Sequence, residues 1–319
     1  MKPLLHAPLA LLLPPLAFLG CAPPSAHDEF GNVNIGHVSN QDSGIEADHS
    51  TEADSGPYHG LWAPRIATPG AQSMDDPSRL ASDGFNTVAV PRAMVVVDGA
   101  IIYITPNDEM ASTIARFRDR GFRTLVSLDV ISSSNAQTFA TTAELPTDPE
   151  FMQLLLDEVG ALAMLAEDEE VDLFAALNEP DVHLGDKAHG FASRQLAVSR
   201  AHFSGPIVWK GGWDTSVRVD GYDIVGSSIS TSDEANLDQM QNDTRRAIDG
   251  LRAQAQASGV DSMMVTEFGL WGGDFSNWSE DYQRRAYEEV FKQAPDLDGY
   301  FAFDGPLGYD PPLADSPGE

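Results

Sequence analysis

The chain has 319 residues, 42% of them hydrophobic, enough for one large globular domain or two ordinary ones and unlike a disordered protein. Nineteen Lys and Arg against 49 Asp and Glu leave a formal charge of -30, which repels phosphate backbones and excludes nucleic acids and anionic polymers as partners. Such an acidic surface favours solubility and, with only four lysines in the chain, suits a salt-rich habitat.

At the N-terminus, Lys2 precedes APLALLLPPLAFLG (7–20), an apolar stretch too short and too proline-broken to span a membrane. Residues 1–21 therefore read as a signal peptide. Cys21, the only cysteine, closes LAFLGC, which resembles the lipobox of bacterial lipoproteins. That resemblance implies acylation of Cys21 and a secreted chain tethered to the bacterial cell envelope, with no other membrane contact; plain secretion is the alternative. A lone cysteine excludes intrachain disulfides and thiol catalysis in the mature body. Residues 22–57 are poor in large apolar side chains and rich in Asp, Ser, Gly and Pro, the composition of a flexible acidic linker. His27, His37, His49 and His59 recur along this stretch, but at a spacing that fits no compact metal-ligand set.

From residue 58 to 319, short apolar runs alternate with longer amphipathic ones. GLWAPRIA (60–67) and FNTVAVP (85–91) read as strands, DEMASTIARFRDRG (108–121) as a helix closed by Gly121, and FRTLVSLDVI (122–131) as a third strand. A helix over PEFMQLLLDEVGALAMLAED (149–168) leads to VDLFAAL (171–177), PIVWKGG (206–212), YDIVGSSIS (222–230) and SMMVTEFG (262–269). SEDYQRRAYEEVFKQA (279–294) is the last helix and GYFAFDG (299–305) the eighth strand. Eight β/α units over this length predict an α/β fold, the (β/α)8 TIM barrel, with its active site in the loops at the C-terminal strand ends. An open doubly wound sheet would carry a glycine-rich phosphate loop after its first strand, and WAPRIATPG is not one. The tail PLGYDPPLADSPGE is too short and proline-rich for a full closing helix, so the last helix is expected to be incomplete or replaced by the N-terminal linker.

FAALNEPDVHLG (174–185) ends an apolar run abruptly in Asn178, Glu179 and Pro180. In a barrel this sets Glu179 at the end of the fourth strand, and VTEFG sets Glu267 at the end of the seventh, so both face the same mouth. Two carboxyl groups about 5 Å apart are the machinery of retaining glycoside hydrolysis. NEP in the fourth strand, TEFG in the seventh and GFNTVAV in the second resemble the clan of (β/α)8 glycoside hydrolases that includes cellulases, β-mannanases and β-galactosidases. The resemblance spans roughly residues 58–305 and implies that Glu179 is the general acid/base, Glu267 the nucleophile and Asn178 the partner of the sugar 2-hydroxyl. It also matches Arg92 to the arginine that braces the nucleophile. It implies a β-linked polysaccharide or oligosaccharide as substrate, with β-mannan or β-glucan the first guess, and no cofactor or metal.

Trp62, Trp213 and Trp271 fall at or just after strand ends, where indoles either stack on sugars or pack beneath loops. His183 lines a subsite or is an ordinary surface histidine, and Asp129 points into the site or merely ends its strand. The sixth strand offers Ser228, Ser230 and Thr231 where many clan members carry a tyrosine or histidine, and the eighth offers Phe303 and Asp304 where a tryptophan is common. Two other readings follow: a non-catalytic, carbohydrate-binding surface lipoprotein on a worn barrel, and a transglycosylase using the same residues. A metal-dependent hydrolase would need histidines at the strand ends, and the predicted ends hold none. A monomer is expected.

Overall fold

The computed structural model describes residues 57–62, 77–82, 84–97, 99–133, 145–212, 215–231, 237–270 and 280–302. Nine strands are described: β1 Tyr58–Trp62, β2 Thr87–Val97, β3 Ala100–Ile104, β4 Arg123–Ser133, β5 Leu173–Ala175, β6 Ile207–Gly211, β7 Ile224–Thr231, β8 Ser262–Leu270 and β9 Gly299–Ala302. With them come seven helices: α1 Pro77–Ser82, α2 Asn107–Arg118, α3 Pro149–Asp168, α4 Pro180–Leu184, α5 Ala188–His202, α6 Leu237–Ser258 and α7 Glu280–Gln293. Every strand except β3 pairs in parallel with its neighbours, and β1 bonds both β2 and β9. The sheet therefore closes on itself as the eight-stranded barrel, and no strand of the ring is left as an edge.

The barrel strands are buried on both faces, which is why they read as continuous apolar runs. One residue or two from each points inward, among them Ala89, Leu125, Leu173, Val208, Ile224, Met264 and Phe301. Their sequence neighbours, such as Val90, Val126, Phe174, Trp209, Val225 and Val265, point outward into a second layer shared with the helices. The long α3 shows why a crossover helix starts and docks where it does. Asp148 accepts a hydrogen bond from the Phe151 amide at 3.0 Å, Pro149 opens the first turn, and Phe151, Leu155, Val159 and Leu162 lie buried along one face. The turn after α2 holds Gly121 at φ 83°, a left-handed conformation that suits glycine and stops the helix as expected.

One strand was absent from the sequence reading. The second strand does not stop at Pro91 but runs on to Val97, turns through Gly99 and returns as β3, antiparallel to β2. Relative to the eight expected strands, the labels are therefore shifted by one from β4 onward: β5 is the expected fourth strand and β8 the seventh. The signal peptide, the linker up to residue 56, Cys21 and the tail expected to lack a closing helix lie outside the described residues.

Candidate active site

Alternation along the strands decides which side chains enter the barrel mouth. On β4, Leu125 points in and Val126 out, so Asp129 points in. On β6, Val208 points in and Trp209 out, so Lys210 points in. On β7, Ile224 points in and Val225 out, so Gly226 and Ser228 point in. Strict alternation on β8 from the inward Met264 would turn Glu267 outward. It does not, because Ser227 pairs with Val265 but Ser228 pairs with Glu267, so Thr266 is an extra residue. This bulge resets the parity, sending Glu267 into the mouth and Phe268 out to the helix layer.

Gly226 makes the bulge possible. A Cβ there would come within 2.2 Å of Thr266 Cγ2 and 3.0 Å of the Trp209 carbonyl oxygen. Gly226→Ala is expected to destabilise the fold by about 1–3 kcal/mol and to displace Glu267, an outcome read by thermal melting alongside activity.

β5 has only three residues, yet the chain beyond it stays bonded to both neighbours. The Asn178 amide donates to the Leu128 carbonyl at 2.8 Å and the Glu179 amide to the Lys210 carbonyl at 2.9 Å. Glu179 then adopts φ 48° and ψ 53°, a left-handed backbone that costs a non-glycine residue on the order of 1 kcal/mol, and Pro180 starts α4. The Asp181 carboxylate accepts from the Gly212 amide at 2.7 Å, fixing the segment after β6 against this corner.

The inward side chains form one connected network. Asp129 Oδ1 accepts from Asn178 Nδ2 at 2.6 Å. Asn178 Oδ1 accepts from Lys210 Nζ, and the same ammonium donates to Glu267 Oε2 at 2.7 Å. Lys210 and Glu267 are both buried, with side chains 0% and 2% exposed, so this ion pair is shielded from water. Glu179 remains partly exposed above it. Burial, and next the charge of Glu267, raise the Glu179 pKa from 4.5 to about 7; Lys210 opposes them, and Asp181 adds a small upward push. The Ser228 hydroxyl, beside the Glu179 carboxyl, also favours its charged form. The two glutamates thus share one pocket, with one able to hold a proton near neutrality and the other ion-paired.

Arg92 does not join them. It follows the inward Pro91 on β2 and so points outward, where its Nε donates to the Thr105 carbonyl at 3.2 Å and its guanidinium lies 3.6 Å from Glu158 of α3. Lys210, which the sequence reading did not single out, is the cation at Glu267. His183 is not a surface loop residue: it lies on α4, 1% exposed, and its carbonyl accepts from the Leu145 amide. Trp62 ends β1, but its side chain, like Trp213, Trp271, Phe303 and Asp304, lies outside what is described, as do the side chains of Ser230 and Thr231.

No protein-family model and no curated protein matches the sequence. Solved structures do match the fold. A GH113 β-mannanase from Alicyclobacillus acidocaldarius, in complex with ManMIm, superposes with a TM-score of 0.62 at 20% identity, covering 82% of this chain and 92% of that one. A GH113 β-1,4-mannanase gives a TM-score of 0.58 at 14% identity, with coverages of 78% and 87%. The endoglucanase Cel5A from the hyperthermophile Thermotoga maritima gives 0.53 at 12% identity, with coverages of 77% and 88%. With these enzymes the chain shares the closed (β/α)8 barrel over nearly the whole of their length.

Proposed function

We propose that the protein is a retaining glycoside hydrolase acting on a β-linked glycan, with β-mannan the first candidate and β-glucan the second. The observation that carries this reading is the pairing at one barrel mouth of Glu179, its pKa raised to about 7, with Glu267, held by an ammonium group. The carboxylate of Glu267 attacks the anomeric carbon while protonated Glu179 gives its proton to the departing glycosidic oxygen. Glu179, now a carboxylate, then deprotonates the water that cleaves the glycosyl ester and frees Glu267. A sugar hydroxyl in place of that water would make the reaction a transglycosylation. Asn178 has its carbonyl committed to Lys210 and one N–H to Asp129, which leaves its second N–H for the sugar 2-hydroxyl.

Soluble β-mannan, β-glucan and β-galactan, each incubated with the protein and followed by proton NMR, test the proposal. The expected first product carries the β anomeric configuration of the substrate. Release of the α anomer first would refute the retaining mechanism, and no release of reducing ends from any glycan would leave a binding protein instead.

A further inference from the structure

The β2–β3 hairpin, which the proposed chemistry does not use, extends the barrel wall beyond its mouth. β2 and β4 stay paired to Val97 and Ser133, and β3 lies against β2 over Met94–Val97. The hairpin is fastened at its base: the Thr105 amide donates to the Ala93 carbonyl, the Ala93 amide donates to the Thr105 hydroxyl, and Arg92 Nε, itself beside Glu158, donates to the Thr105 carbonyl. Register assigns its faces. Met94 and Ile104, then Val96 and Ile101, are partners that pack outward with the helix layer. Val95 points inward with Ala93 and Ile131, and its partner is Tyr103, so Tyr103 shares the face continuous with the barrel interior. Ile102 is the extra residue of a bulge between these pairs.

Tyr103 is 43% exposed on this fixed wall. Its neighbours on that face are the apolar Val95, Val97 and Ile131. Counting two residues up β4 from Asp129 and two strands across places it roughly 12 Å from Asp129, a few sugar rings from the scissile position. A ring fixed by two torsions, apolar on its faces and partly exposed on the inward side of the wall, suits the C–H face of a neutral pyranose, and the chain's charge of -30 turns away an anionic one.

Resting on the glycosidase reading, we propose that Tyr103 is a stacking platform for a distal sugar of a neutral β-linked glycan, making the hairpin a subsite that favours long substrates over short ones.

Electrophoresis through gels containing soluble β-mannan or β-glucan tests this without requiring catalysis, with Glu267→Ala as the parent so that no polymer is cut. The parent is expected to be retarded. Adding Tyr103→Ala should weaken the apparent affinity about three- to ten-fold, and adding Tyr103→Phe, which keeps the ring, should preserve it. In the active protein, Tyr103→Ala should lower the ratio of kcat/KM on a long oligosaccharide to that on a short aryl glycoside by a similar factor. Retardation unchanged by Tyr103→Ala, or a parent unretarded in both gels, overturns the subsite. Retardation that depends on Tyr103 in a protein that hydrolyses nothing upholds the subsite and removes the catalytic reading alone.

Discussion

Glu267→Ala is expected to lower kcat on the preferred glycan by on the order of 10⁴-fold or more, because the proposed mechanism forms its covalent intermediate on this carboxylate. Glu179→Gln is expected to behave differently. It should cost about 10²–10⁴-fold on glycans, where the leaving oxygen needs a proton, and far less in the first step on aryl glycosides whose phenol leaves unprotonated. Burst kinetics on such a substrate separates the two variants: Glu179→Gln accumulates the glycosyl-enzyme and Glu267→Ala never forms it. Equal losses on both substrate types would sink the assignment of roles. The pH dependence follows from the same assignment. With its pKa raised to about 7, Glu179 loses its proton through neutrality, so kcat/KM should fall on the alkaline side near pH 7. A raised carboxyl pKa also means that the folded state holds a proton that the unfolded state has released. Stability from this group is complete below about pH 4.5 and is lost as pH rises through about 7. Glu179→Gln should therefore melt higher than the wild type at pH 8, by about 2–4 °C for each kcal/mol gained in a domain of this size.

Lys210→Met is expected to damage both stability and activity, although Lys210 need not touch the substrate. The variant leaves the buried Glu267 carboxylate without its ammonium and the Asn178 carbonyl without its donor. Removing one partner of a buried ion pair costs about 3–5 kcal/mol, so the melting temperature should drop. Activity should fall by about 10²-fold as the Glu267 carboxylate loses its fixed position. A merely structural lysine would move only the first of these. A positioning lysine also shifts the pH profile: its charge opposes the upward shift at Glu179, so its removal should carry the alkaline limb above pH 7. Lys210→Arg keeps the charge and should restore the limb, with part of the activity. An unshifted limb in Lys210→Met would confine Lys210 to stability.

The barrel, and the meeting of Glu179 and Glu267 at its mouth, were legible because their signals are coarse. Strand-length apolar runs at β/α spacing survive errors of a few residues, and NEP and TEFG sit where two such runs end. The finer features depend on parity, which a strand buried on both faces hides. In PIVWKGG all the residues before Lys210 are apolar, so nothing marks Val208 as inward and Trp209 as outward until both have a surrounding. Lys210 reads from sequence as a solvated charge at a strand end. Arg92 failed for the complementary reason: it stands near the right height on β2, but Pro91 takes the inward place and Arg92 fastens the hairpin instead. That hairpin did leave a trace, since Asp98-Gly99 between VVV and AII is a strong two-residue turn signal. Ending the second strand at Pro91 concealed it. Glu267 was found by its position at a strand end, whereas counting alternate residues from Met264 would have pointed it at the helices.

The extra residue at Thr266 makes this pocket vulnerable to a slip of strand register as well as to a change in chemistry. A slip that let Thr266 pair with Ser228 would leave the sequence untouched, yet set Glu267 opposite Ile229, turned out among the helices, and bring the ring of Phe268 inward. A strand so slipped would keep its composition and its motif while presenting an apolar ring where a carboxylate now stands.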